Sequence, residues 1–142
     1  MFKRQSGKPN IQYFKKAAST AFANGALVYF NGTGEIIPAD TTSGDHIGII
    51  LREVLSTDDD YASETMVPVD VIDGQTRLEV PVTNGDLAAA DVGNTCDVEA
   101  GAASVDPDVT TKKQVTIVDM ISASKAVVVV NSLFGHLRVA TT

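Results

Sequence analysis

Cysteine is nearly absent from this chain of 142 residues, and Cys96 is the only one present. One cysteine excludes an internal disulfide, and the chain lacks the ligands that a four-ligand Cys/His zinc site requires. We expect Cys96 to be a small buried or half-buried residue. A reactive thiol is the less favoured alternative, because no basic neighbour in the sequence would lower its pKa.

Long hydrophobic runs are also missing. No stretch contains 18 consecutive apolar residues, so the sequence predicts no membrane-spanning helix. The charged N-terminal stretch is not followed by the apolar core of a secretory signal. We therefore expect a protein that stays in the cytoplasm where it is made, without a membrane partner.

Catalytic signatures are lacking as well. The chain contains neither G-x-S-x-G nor H-E-x-x-H, and its two histidines, His46 and His136, are far apart and each lies beside an apolar run. Gly32 and Gly34 match the start of a dinucleotide-binding loop, but Pro38 stands where its helix would begin. We predict structural or surface-edge histidines, no enzymatic activity and no cofactor or metal.

An acidic run, Asp58-Asp59-Asp60, raises the alternative of a calcium site. Adjacent aspartates alternate sides in an extended chain, so three in a row cannot all face one ion. A solvated acidic loop is the favoured interpretation.

Charge is unevenly distributed along the chain. Residues 1–22 carry five basic residues and no acidic residue, and the remainder carries all 18 acidic residues against six basic ones. Such segregation favours an electrostatic partner for the basic segment, with a solvated terminus as the plain alternative. We divide the chain into a basic N-terminal arm, 1–22, and a single β-rich domain, 23–142.

Strand and turn signals alternate through the domain. The predicted strands share β-branched, aromatic or alternating apolar residues and are bounded by Gly, Asn, Asp and Ser. They lie at 26–30, 35–39, 46–55, 65–72, 75–82, 94–100, 114–121 and 126–134, with 135–142 as a last edge strand or a tail. Asp73-Gly74 predicts a hairpin, and 87–93 permits a short helix. The fold class is all-β, a small barrel or sandwich.

The stretch 23–50 resembles the opening of tailed-bacteriophage head decoration (cement) proteins. Gly25-Ala26-Leu27-Val28 is similar to their G-x-L-V turn and strand. A hydrophilic turn, a short strand ending at Pro38-Ala39, and the strand Ile47-Gly48-Ile49 follow in the same order. Later segments keep the same rhythm to about residue 132, whereas residues 1–22 lie outside the resemblance.

The resemblance implies a β-tulip-like or small barrel fold, and trimers or other small oligomers on the outer capsid surface. It implies no catalysis. The expected partners are the major capsid protein and further copies of the chain, as a homotrimer, with no nucleic acid. The expected location is the virion. The alternative is a head-fibre base or a ligand-binding β-module on the virion surface.

The arm is the predicted capsid-binding element. We expect residues 1–22 to be a mobile, extended arm in the free protein, with a helical turn or two over 10–22 as the alternative, and to order on the capsid, where they add a strand or insert apolar anchors. The predicted binding residues are the basic and apolar side chains of this segment: Lys3, Arg4, Lys8, Ile11, Tyr13, Phe14, Lys15 and Lys16.

Overall fold

Two antiparallel β-sheets dominate the part of the chain that the computed structural model describes, residues 1–39 and 46–131. Helix within these residues is limited to two single 3₁₀ turns, Thr83–Gly85 and Ala89–Asp91. The predicted all-β fold class is therefore confirmed. The strands are β1 Lys3–Arg4, β2 Ile11–Lys15, β3 Leu27–Phe30, β4 Ile36–Pro38, β5 His46–Ile50, β6 Met66–Val71, β7 Leu78–Pro81, β8 Thr95–Val98, β9 Val105–Asp106, β10 Val115–Ser122 and β11 Lys125–Val130.

One sheet has five strands in the order β2-β6-β5-β3-β4, and the other has six in the order β1-β7-β11-β10-β8-β9. A parallel bridge between Lys16 and Ile36 links the two outer strands of the five-stranded sheet. A second parallel bridge, between Val82 and Val105, links β9 to the end of β7. The sheets are thus curled, in agreement with the predicted barrel or sandwich.

The most β-branched run of the sequence becomes a central strand. β11 lies between β7 and β10, and three successive residues, Ala126, Val127 and Val128, are buried. A strand that is covered on both faces needs apolar side chains on both. The apolar residues of β11 are therefore consecutive and do not alternate with polar ones. Buried residues of both sheets form one continuous hydrophobic core.

The N-terminal residues belong to both sheets. β1 pairs with β7, where Lys3 faces Glu79, and β2 pairs with β6 along its whole length. Phe2 and Phe22 are each only 1% exposed and lie in the core. The arm is extended, as predicted, but in this structure it is paired within the chain rather than free, because β1 and β2 are strands of the two sheets and Phe2 and Phe22 lie in the core.

The predicted hairpin at Asp73-Gly74 is also wrong. β6 and β7, which flank this turn, lie in different sheets. β6 already has β2 on one side and β5 on the other, so no edge remains to which β7 could pair. The Asp73 side chain instead accepts the backbone N–H of Gln75 at 2.8 Å and turns the chain towards the second sheet.

Several element ends differ from the sequence prediction. The strand predicted over 46–55 ends at Ile50, and the strand β9 lies between the strands predicted over 94–100 and 114–121, where no strand was predicted. The ambiguous segment 87–93 contains only the 3₁₀ turn Ala89–Asp91. The loop at 41–45 and the last segment, 135–142, with His136, lie outside the described residues.

Close backbone packing fixes the identity of one residue in β5. Gly48 faces Val71 of β6, and a Cβ atom at Gly48 would collide with the backbone carbonyl of Asp70. Only glycine therefore permits this approach of β5 to β6 without a backbone shift.

Candidate binding surface

A row of apolar residues runs across β2, β6 and the residue that follows β5 in the five-stranded sheet. The register places Tyr13 opposite Pro68 and Lys15 opposite Met66. Leu51 donates its backbone N–H to the Pro68 carbonyl at 3.0 Å. Side chains at facing positions of antiparallel strands lie on the same face, so Tyr13, Pro68 and Leu51 share one.

These side chains are open to solvent, whereas another part of the same face is buried. Tyr13 is 62% exposed, Met66 57%, Ile11 53% and Leu51 42%. Ile49 and Asp70, which face each other two residues before Leu51 and two residues after Pro68, are buried. The face is therefore covered over one part only. We call the uncovered part the apolar face, made of Ile11, Tyr13, Leu51, Met66 and Pro68.

Three of the predicted cations remain exposed in the N-terminal segment. Lys3, Lys8 and Lys15 are all exposed, and Lys15 lies directly beside Met66 on the apolar face. Of the three lysines, Lys15 is therefore the one that the strand register places on the apolar face.

Arg4 does not belong to the exposed set. Its Nε and one terminal nitrogen donate to the two carboxylate oxygens of Asp70, each at 2.8 Å. The hydrogen bond to Asp70 raises the pKa of Arg4. Burial raises the pKa of Asp70, but hydrogen bonds from Arg4 and from the Asn10 backbone outweigh it and lower that pKa overall. Arg4 is therefore held in an internal ion pair with Asp70.

Lys16, another of the predicted binding residues, is fully buried. Its Nζ donates to the backbone carbonyls of Asp60 at 2.7 Å, Tyr61 at 3.2 Å and Ser63 at 2.6 Å. Three carbonyl oxygens replace the water that a buried ammonium loses. Lys16 therefore ties the end of β2 to the 56–65 loop and cannot meet a partner.

Phe14 is likewise directed inwards. It is half-buried and packs edge-on against Phe30, with ring centroids 5.7 Å apart and the planes at 75°. An edge-to-face pair of this kind stabilises the interior of the curled sheet. Of the three predicted apolar anchors, only Ile11 and Tyr13 remain accessible.

The acidic run lies in a surface loop, and two of its three carboxylates are hydrogen-bonded within the chain. Asp60 accepts two hydrogen bonds from the Arg52 guanidinium, at 2.6 and 2.7 Å, and one from the Thr65 hydroxyl at 2.6 Å. The hydrogen bond from Arg52, with that from Thr65, lowers the pKa of Asp60. Asp58 accepts the Leu55 backbone N–H at 2.9 Å. These contacts shape the loop beside the apolar face.

Cys96 and His46, which the sequence analysis considered as a possible reactive thiol and as a structural histidine, are both buried. Cys96 is buried, as predicted, and burial, with the neighbouring charge of Asp97, raises the pKa of its thiol to about 12. His46 is buried in β5, and its ring lies 6.4 Å from that of Tyr29. Within the described ranges, no group of three or more His, Cys, Asp and Glu side chains is arranged to hold a metal ion.

Sequence reasoning missed Leu51, Met66 and Pro68. The alternation of residues 65–72 contains the signal that Met66, Pro68 and Asp70 share one face. Nothing in the local sequence indicates that this face is covered at Asp70 and open at Met66, because the cover is formed by distant parts of the chain.

No protein-family model matches this chain, and no curated protein matches it either. Among the described residues, no helix is long and apolar enough to cross a membrane.

Proposed function

We propose that this chain is a structural protein of a bacteriophage virion that binds the outer surface of the capsid and stabilises the shell. The observation that carries the proposal is the apolar face, in which four large side chains are more than 40% exposed beside one another on adjoining strands. Contiguous exposed apolar patches mark interaction surfaces. The resemblance of residues 23–50 to decoration proteins supports the capsid as the partner.

Binding would be driven by burial of this face against the major capsid protein. Apolar surface contributes about 25 cal/mol per Å² removed from water, so two aromatic or aliphatic anchors supply several kcal/mol. Because strand pairing already holds these side chains, little ordering entropy opposes binding. Preordered anchors on a rigid sheet replace the disordered arm expected from the sequence.

The exposed lysines assist the encounter. Lys3, Lys8 and Lys15 lie in the same N-terminal segment as Ile11 and Tyr13. Exposed ion pairs contribute only about 0–1 kcal/mol each, but a charged surface raises the association rate and makes it sensitive to salt. The proposal involves no catalysis and no cofactor.

Occupancy of capsid shells tests the proposal. Shells assembled from the phage's major capsid protein are incubated with the chain and then sedimented. We expect Tyr13→Ser with Met66→Ser to lose occupancy. Ile121→Ser, which removes a side chain that is 49% exposed on β10 of the other sheet, should retain it. Equal occupancy of the two variants would remove the apolar face from the proposal, and no binding by the unmodified chain would refute the capsid as partner.

A further inference from the structure

Among the described residues, β2 is an outermost strand whose side away from β6 has no strand partner. Successive residues of a strand direct their backbone groups alternately to one neighbour and to the other. The Val71 N–H bonds to the Asn10 carbonyl at 2.8 Å and the Lys16 N–H to the Thr65 carbonyl at 2.9 Å. The even-numbered residues of β2 therefore face β6, and the N–H and C=O groups of Ile11, Tyr13 and Lys15 face outward.

The unpaired stretch is short and is bounded at one end. Beyond Lys15 the edge is occupied, because Ala17 donates its N–H to the Ile36 carbonyl of β4 at 3.1 Å. At the other end Pro9 has no N–H to offer. The open edge thus centres on Gln12, with the outward groups of Ile11 and Tyr13 on either side. An edge strand that is neither charged along its length nor covered is a template for pairing.

We propose that two copies of this chain pair antiparallel along β2, across a two-fold axis at Gln12. In this register Ile11 of each copy faces Tyr13 of its partner, and each facing pair exchanges two backbone hydrogen bonds. The side chains match as well, since aromatic residues opposite β-branched ones are favoured cross-strand pairs.

A second copy fits this edge because the edge is complementary to itself. A two-fold contact uses the same surface on both partners, and the sequence Ile11-Gln12-Tyr13 meets that condition without placing like charges opposite each other. Lys15 lies beyond the paired residues. A homotrimer, which the family resemblance implies, would instead need two different surfaces in contact.

Pairing would also extend the apolar face. The two five-stranded sheets would become one continuous sheet, and the exposed Tyr13 and Ile11 of both copies would lie side by side at its centre. Pairing concerns the free protein and does not depend on the capsid proposal, so either can fail alone.

Disulfide trapping of the full chain tests the register. Facing residues that are not hydrogen-bonded have Cα atoms about 4.5 Å apart, within the range of about 4.4–6.8 Å that a disulfide spans. We expect Gln12→Cys to form mostly covalent dimers under oxidising glutathione. Ala123→Cys, exposed in the turn between β10 and β11, should remain mostly monomeric. Cys96 is buried and provides no competing thiol. Equal cross-linking of the two variants, or none in either, would overturn the proposal.

Light scattering on the chain without added cysteine provides the second measurement. Ile11→Pro removes an N–H that faces outward and no bond to β6, so we expect folded monomers. Ile11→Ala keeps that N–H and should still dimerise. A trimeric mass for the unmodified chain, or an Ile11→Pro variant that dimerises like Ile11→Ala, would contradict pairing through β2. If Ile11→Pro fails to fold, the comparison of Gln12→Cys with Ala123→Cys still tests the pairing through β2.

Discussion

A buried ammonium group holds the N-terminal strand against the 56–65 loop. Lys16 is fully buried and donates to three backbone carbonyls, those of Asp60, Tyr61 and Ser63. Without the ammonium the Asp60 and Ser63 carbonyls would lose this donor, whereas the Tyr61 carbonyl would keep the Ser19 N–H at 2.7 Å. A buried polar group left without its partner costs about 1–3 kcal/mol. Lys16 is therefore a stability determinant.

We expect Lys16→Met to lower the free energy of unfolding by about 3 kcal/mol, because carbonyl acceptors lose their donor. Lys15→Met is the matched control, since Lys15 is the preceding residue and is exposed. Its effect should lie within about 0.5 kcal/mol. Urea denaturation measures both variants, and equal losses would contradict the role assigned to the buried ammonium.

A pair of carboxyl groups predicts a pH dependence. The hydrogen bond between Glu99 and Asp106, followed by burial, raises the pKa of Glu99 above its ordinary value of 4.5. An acid with a raised folded-state pKa stabilises the fold below its unfolded pKa, and this contribution disappears as pH rises through the folded pKa. The interaction of Glu99 with Asp106 is therefore least favourable to the fold at neutral pH, above the raised pKa of Glu99.

Glu99→Gln should remove this pH dependence. Relative to the unmodified chain, we expect the variant to gain thermal stability at neutral pH and to lose that advantage as the pH falls to about 4. Glu53→Gln, at an exposed position, controls for the loss of one negative charge. Melting temperatures are measured across this pH range. A difference between Glu99→Gln and the unmodified chain that stayed constant with pH, or that equalled the difference for Glu53→Gln, would contradict the expectation.

The local sequence does not show that Lys16 is buried or that Arg4 is engaged in an internal ion pair. The acceptors of Lys16 lie 44 to 47 positions away, and Asp70, the partner of Arg4, lies 66 positions away. Composition identifies a basic segment, but only the tertiary fold decides which of its charges reach solvent. Exposure of Ile11 and Tyr13 was predictable in part, because alternate residues of an extended strand share one face.

At the scale of elements, the contact between β5 and β6 depends on a residue without a side chain. A Cβ atom at Gly48 would collide with the carbonyl of Asp70, and both groups belong to strand backbones that cannot move independently. Asp70 also binds Arg4, so a shift here would be transmitted to the N-terminal strand β1.

Gly48→Ala should therefore destabilise the fold by about 3 kcal/mol, at the upper end of overpacking costs. Gly32→Ala is the comparison, because Gly32 has open space around its Cβ position but a φ of 93°. Its cost is conformational and should be about 1–2 kcal/mol. Denaturant titration of both variants measures the difference. A Gly48→Ala variant no less stable than Gly32→Ala would contradict the steric argument.

Most strands were predictable because alternation and β-branched content are local properties. Their assignment to sheets was not, as Asp73-Gly74 demonstrates: the turn forms, but the strands that flank it separate. Turn chemistry specifies a change of direction, whereas pairing depends on which edges remain free. The short strand β9 carried too few residues for any period to be detected.

At the scale of the whole molecule, the N-terminal segment is integral to stability. Phe2 is buried in the core shared by both sheets, whereas Lys3 beside it is exposed. We expect Phe2→Ala to cost about 3–5 kcal/mol, and Lys3→Ala to stay within about 0.5 kcal/mol. Deletion of residues 2–22, which removes β1 and β2, should abolish cooperative thermal unfolding. An intact melting transition in that truncated chain would restore the arm as a separate element.

The order of the strands along the chain has a consequence for synthesis. Among the described residues, the five strands of one sheet lie between Ile11 and Val71, and the last strand of the other sheet, β11, ends at Val130. β1 is translated first, yet its partner β7 follows more than 70 residues later. At about 5–20 residues per second, the first strand therefore waits several seconds on the ribosome for its partner. The first sheet can assemble during that interval, and the N-terminal residues then close the nascent protein by joining the sheet made last.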